Sequence, residues 1–215
     1  MIFVECYKNS NTNARTQVMA KTGKSHLTGE NLLRAVNAVT ECLFVNNLGD
    51  APKAVATCIR TASKTLRCFS MQASVLTVDI LKALSECEKL GSILLENNYF
   101  QDVADANSEK YDQALSEVLF CNPTLRCLYV ECQFKDNTYR KPVHIFGNKS
   151  WSVLGSNSCP LLQLLWVRTI GDTIENNQHV TAALSPPSLI PRQLKICMVN
   201  SDMKLRSQVV SYKRR

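Results

Sequence analysis

Apolar positions in the first half of the chain recur at helical spacing. After a short apolar start (residues 1–7, read as a strand) and a polar stretch (residues 8–27, read as a loop or arm), Thr28 is placed to cap a helix. Its stripe is Leu32, Leu33, Val36, Val39, Leu43 and Phe44, and Asn46-Asn47-Leu48-Gly49 stops it. A second helix follows, with Asp50 as cap and Pro52 in the first turn, where the missing N–H costs nothing. Val55, Cys58, Ile59, Ala62, Leu66 and Phe69 fall on one side of it. A third is read from Ala73 to Asn97 on Leu76, Ile80, Leu84, Cys87 and Leu94. A fourth starts at Ser108, with Tyr111, Ala114, Leu115, Val118 and Leu119 at helical intervals.

Beyond Asn122-Pro123 the period shortens to two. Leu128, Val130, Cys132 and Phe134 alternate with Tyr129, Glu131 and Gln133, the signature of a half-buried strand. Asp136-Asn137 turns it back into residues 138–146, where Pro142 suggests an edge. Residues 161–169 fit a buried strand or a short helix. A closing hairpin pairs Leu194–Asn200 with Met203–Tyr212 and leaves a basic tail. No internal repeat of fixed period is evident. Helices crowd the first half and strands the second, so the expected class is α+β. It comprises a mainly helical region, residues 1–121, and a mostly antiparallel β-rich region, residues 122–215, either as two parts or as one continuous domain.

Composition narrows the function classes. The 215 residues are 45% hydrophobic with few Gly and Pro, enough for a sizeable core and unlike a disordered chain. Glu5 interrupts the apolar start and no base precedes it, so a secretory signal is not expected; nor is any apolar run near the roughly 20 residues of a membrane span. The ten cysteines sit mostly among apolar neighbours and fall short of a disulfide scaffold. Reduced thiols in the cytoplasm or nucleus are the expectation.

Charge is segregated. The net +7 divides into +5 over residues 1–70, −6 over 71–120 and +8 over 121–215. Either the acidic middle neutralises the basic ends internally, or the basic blocks face an acidic partner. Lys53, Arg60, Lys64 and Arg67 fall within one narrow stripe on the second helix, opposite its apolar side. Lys204 and Arg206 share a strand face, next to Lys213, Arg214 and Arg215. These nine residues are the candidate nucleic-acid contacts, able to track phosphates. Tyr212 is the only aromatic beside the tail, which is poor in stacking platforms.

Catalytic patterns are weak. Thr22-Gly23-Lys24-Ser25 matches the end of a P-loop, but Val18 stands where its first Gly belongs. Cys121, Cys127, Cys132 and His144 lack the paired spacing of a zinc site. Asp102 and Asp105 do not complete a calcium loop. Cys159, with His144 or His179, is the best-placed thiol for a cysteine-dependent hydrolase, since its Gly155–Pro160 setting is loop-like. No catalytic residue, cofactor or metal is assigned. The leading expectation is a non-enzymatic assembly or interaction module that uses its segregated charges to bind a protein partner or itself. Nucleic-acid binding (RNA or DNA) is the alternative and a thiol hydrolase the second.

Overall fold

The computed structural model describes residues 17–21, 29–48, 51–100, 108–134, 142–143, 146–156, 158–169, 195–200 and 208–211. Its strands are β1 (Gln17–Lys21), β2 (Cys42–Asn46), β3 (Cys68–Gln72), β4 (Ser92–Phe100), β5 (Cys127–Phe134), β6 (Pro142–Val143), β7 (Leu164–Thr169), β8 (Lys195–Asn200) and β9 (Gln208–Ser211). Its helices are α1 (Gly29–Ala35), α2 (Pro52–Thr61), α3 (Val78–Ser85), α4 (Ser108–Cys121) and α5 (Asn148–Gly155).

The α+β expectation is overturned. All these strands join one sheet, ordered β1-β2-β3-β4-β5-β7-β8-β9, and the pairings from β1 through β8 are parallel. Helices alternate with the strands instead of preceding them. Antiparallel pairing is confined to β6 on β5 and β9 on β8. Three expected helices were too long. The first ends at Ala35, and Leu43 and Phe44 lie in β2; the second ends at Thr61, and Phe69 lies in β3; the third, Ala73 to Asn97, divides into the β3–α3 turn, α3 and β4. The segment over 161–169 contains strand β7, and residues 151–154 belong to α5. The opening residues 1–7 lie outside the described part.

Apart from β6, the strands lie in chain order across the sheet, and crossovers between parallel strands share one hand, so the described helices land on the same side of it. Accordingly α1 packs on α2, α2 on α3, α3 on α4 and α4 on α5. Between sheet and helices the parallel register stacks two ladders. Leu43, Phe69, Ile93, Leu128 and Leu165 form one; Val45, Met71, Leu95, Val130 and Val167 form the other; all are buried. A third line, just before the strands, is Thr40, Leu66, Leu90, Leu125 and Leu162, also buried. The units of β2, β3, β4, β5 and β7 thus share the apolar pattern L-x-x-L-x-L, as in Leu90-Gly91-Ser92-Ile93-Leu94-Leu95, with Thr40 opening the first. The strands begin at residues 42, 68, 92, 127, 164 and 195, so the repeat has no fixed length. Burying each such side chain contributes about 1.5–3 kcal/mol, and one repeat alone has nothing to bury it against.

Local chemistry sets the turns. Thr77 Oγ1 accepts from the Ile80 N–H at 3.4 Å and caps α3. The cap position of α2 is Ala51, which makes no side-chain cap bond, and Pro52 opens the helix. After β2, β3 and within β4, equivalent residues Asn47, Ala73 and Asn97 take φ of 50°, 47° and 51°. Each follows the register-matched residues Asn46, Gln72 and Glu96, and in β4 the pairing with β5 shifts register between Leu95 and Asn98.

Candidate functional site

Side chains alternate along a strand, so the ladders that build the core leave a second set on the opposite face, which no described helix covers. Its central row crosses five strands: Phe44, Ser70, Leu94, Tyr129 and Trp166. Leu94 is buried by its neighbours, while Phe44, Ser70, Tyr129 and Trp166 are half-exposed. The Tyr129 and Trp166 rings stack with centroids 5.4 Å apart and planes 13° from parallel. The Tyr129 hydroxyl donates to Glu131 Oε2 at 2.6 Å, fixing the phenol ring. Toward the strand ends, Asn46 Nδ2 donates to Gln72 Oε1 at 3.3 Å, with the exposed Glu96 next in register. At the strand starts stand Cys42, Cys68, Ser92, Cys127 and Leu164. The site is a rigid, partly aromatic platform on strands rather than loops.

Of the residues proposed from the sequence, those described fall elsewhere. Lys53 and Arg60 lie on α2, but the helix ends at Thr61, so Lys64 sits in the following turn and Arg67 just before β3. Arg60 is engaged by carboxylates of α3 and its end: Nη2 meets Asp79 Oδ1 at 2.7 Å and Nε meets Glu86 Oε1 at 3.2 Å. The hydrogen bond from Arg60 holds the Asp79 carboxyl below its ordinary range, and the same bond raises the guanidinium. Arg67 Nε stands 3.8 Å from Glu41 Oε1. On the helix side, then, acidic and basic groups neutralise one another between successive repeats. Lys204, Arg206, Lys213, Arg214 and Arg215 lie outside the described residues, as do Thr22–Ser25, Asp102, Asp105, His144 and His179.

Cys159 is unsuited to nucleophilic work. It is buried, its Sγ donates to the Leu119 carbonyl at 2.7 Å, and burial pushes the thiol up to about 12, so thiolate is scarce at neutral pH. Cys121 is exposed at the end of α4 and Cys127 is buried at the start of β5. Among the described residues no group of three or more His, Cys, Asp or Glu is placed to hold a metal ion. Also among them, no helix is long and apolar enough to cross a membrane.

The sheet-face row was missed from sequence because its members occupy the variable positions of L-x-x-L-x-L, and only the recurrence of that pattern identifies them. The pattern and the one-sided helix layer define an α/β fold built from recurring strand–helix units on one mostly parallel sheet. Compared with protein-family models, curated proteins and solved structures, the chain finds no match.

Proposed function

We propose that the chain is a non-enzymatic interaction module that holds a protein segment rich in apolar and aromatic side chains against the uncovered face of its sheet. The observation that carries this reading is the Tyr129–Trp166 stack, half-exposed at one end of a strand-borne row that also holds Phe44 and Leu94. Aromatic side chains dominate the energetics of protein interfaces when a rigid scaffold presents them, and proteins built from recurring units bind partners along such extended faces. The charge blocks are read as partly neutralising one another, the first of the two alternatives the sequence offered. Pairs such as Arg60–Asp79 and Lys149–Glu109 spend those charges within the helix layer, which favours a protein partner on the sheet over nucleic acid on α2. The cytoplasm or nucleus suits a chain with seven described cysteines outside any disulfide.

The test is selection of binders from a displayed random-peptide library against the folded chain, followed by substitution. Trp166→Ala and Tyr129→Ala are expected to weaken the selected peptides by roughly thirtyfold each, the effect of losing an interface anchor. Gln113→Ala on the outer helix layer is expected to change nothing. Peptide binding that survives both sheet-face substitutions overturns the reading. So does tight, salt-sensitive binding of RNA or DNA that requires Lys53 and Lys64. Homodimers that dissociate on Trp166→Ala would identify the bound segment as a second copy of the chain.

A further inference from the structure

Cys42 and Cys68 stand apart from the other cysteines. They open β2 and β3 and are direct partners in the parallel register, on the uncovered side of the sheet. No other register pair in the described strands joins two cysteines: Cys127 lies between Ser92 and Leu164, Cys132 pairs with Asn98 and Val143, and Cys197 with Trp166 and Val209. Neither Cys42 nor Cys68 is in a disulfide. Directly paired residues of neighbouring strands lie about 4.8 Å apart, inside the Cα window of about 4.4–6.8 Å that a disulfide spans.

The two thiols already interact. A side-chain hydrogen bond from Cys68 lowers the Cys42 thiol below its ordinary range, against the opposing effects of burial and of Glu41; Arg67 adds to the lowering. The core thiols differ: burial alone pushes Cys58 up to about 11 and Cys159 to about 12, and burial with Glu86 pushes Cys87 to about 12. Access differs too, since Cys42 is 4% exposed and Cys68 is partly open to solvent.

We propose that Cys42 and Cys68 are a redox modification site that reacts with a low-molecular-weight disulfide and closes reversibly into a bridge between β2 and β3. Cys68, the accessible partner, gives up its proton to solvent, and its thiolate attacks one sulfur of the small disulfide. That S–S bond breaks, one small thiolate leaves and is protonated, and a mixed disulfide remains on Cys68. Cys42 as thiolate then attacks the Cys68 sulfur, forming the Cys42–Cys68 bond and expelling the second small thiol. Two protein thiols are oxidised by two electrons, and one small disulfide is reduced to two thiols. A small thiol in excess reverses both steps. The site stands independently of what the sheet face binds.

The experiment uses the folded chain in glutathione buffers of rising oxidised fraction, quenched in acid and mapped by mass spectrometry. The expected product is a linked Cys42–Cys68 peptide that disappears in reduced glutathione. Cys42→Ser is expected to accumulate glutathione on Cys68 about tenfold above the wild-type level, because the resolving thiol is gone. The mapping of the wild-type chain stands even if the variant folds poorly. Glutathione retained on Cys68 of the wild type without a bridge, or a bridge that forms only after unfolding in urea, overturns the proposal.

Discussion

Asp112, on α4, caps a helix to which it does not belong, and Ser150 of α5 is its closest partner. Its Oδ1 accepts the Ser150 hydroxyl at 2.6 Å, the Gly147 N–H at 2.8 Å and the Ser150 N–H at 3.1 Å, and its Oδ2 accepts the Lys149 N–H at 2.9 Å. The first turn of α5 needs such acceptors. Its own cap residue, Gly147, has no side chain to supply one, and cannot readily have one, because a Cβ there would lie 2.8 Å from Asp112 Oδ2. One carboxylate thereby fixes the successive helices α4 and α5, while the Phe146–Trp151 ring pair packs the same corner. Asp112→Ala strands several buried donors at once and is expected to cost about 2–4 kcal/mol in urea unfolding. Asp112→Asn, which keeps an acceptor, is expected to cost less. Equal costs would place the loss in packing rather than in the cap.

Asn98 performs a related task on the sheet side. It is fully buried; its Nδ2 donates to the Met71 carbonyl at 2.8 Å, and its Oδ1 accepts the Ser74 N–H at 3.2 Å. Ser74 does a shorter version one repeat earlier, accepting the Leu48 N–H at 3.1 Å and donating to the Gln72 carbonyl at 2.9 Å. These bonds satisfy backbone groups that the ladder abandons where the chain leaves the sheet. Asn98→Ala leaves a buried N–H and a buried carbonyl unpaired, and is expected to lower stability by about 2–3 kcal/mol. Ser74→Ala is expected to cost less than Asn98→Ala. Chemical denaturation of both variants decides.

These turns also explain how far the sequence could be read. The amphipathic run from Ser108 gave α4 its true start, and Tyr111, Ala114, Leu115, Val118 and Leu119 are buried there. The alternation after Cys127 marked β5, and the terminal hairpin marked the antiparallel pair β8–β9. The first half misled because L-x-x-L is ambiguous. Leu66 and Phe69, or Leu90 and Ile93, are three apart, the spacing of one helical face, yet the first buries from a turn and the second from a strand. Strand positions such as Leu43, Phe69 and Leu94 could therefore extend helical stripes. The unequal intervals between strand starts hid the repeat, and without it nothing in the sequence singled out Tyr129 and Trp166, which lie on different strands and meet only through the register.

Ala73 is the weak member of the left-handed series. Asn47 and Asn97, its counterparts in the neighbouring repeats, are a residue type that tolerates positive φ, whereas a Cβ without a local hydrogen bond does not. Ala73→Asn or Ala73→Gly is expected to raise stability by about 0.5–1 kcal/mol, Gly losing part of its gain to the entropy of the unfolded chain. An increase in the denaturation midpoint at unchanged slope checks this; a decrease would show that the Ala73 methyl contributes more by packing than its backbone costs.

The pair Arg60–Asp79 tests whether the charge blocks hold the helix layer together. Because the carboxyl of Asp79 is held below its ordinary value of 3.8 in the folded chain, the folded state binds its proton less readily than the unfolded state. The pair's contribution is therefore complete above the ordinary carboxylate pKa and is lost as pH falls through the lower folded value. Both side chains are substantially exposed, 38% for Arg60 and 53% for Asp79, so solvent screening limits the contribution to about 0.5 kcal/mol or less. Asp79→Asn should thus be slightly less stable than wild type near neutral pH. The difference should persist at pH values above the ordinary carboxylate range and fade as pH falls through the lowered folded value, where Asp79 becomes protonated and both chains carry an uncharged group. Salt at about 1 M should shrink the neutral-pH difference, since the Debye length falls to about 3 Å. Paired urea titrations of the two chains across this range supply the measurement. A difference that stays constant as the carboxyl becomes protonated would assign the effect of the Asp79→Asn substitution to the α3 backbone instead of the ion pair.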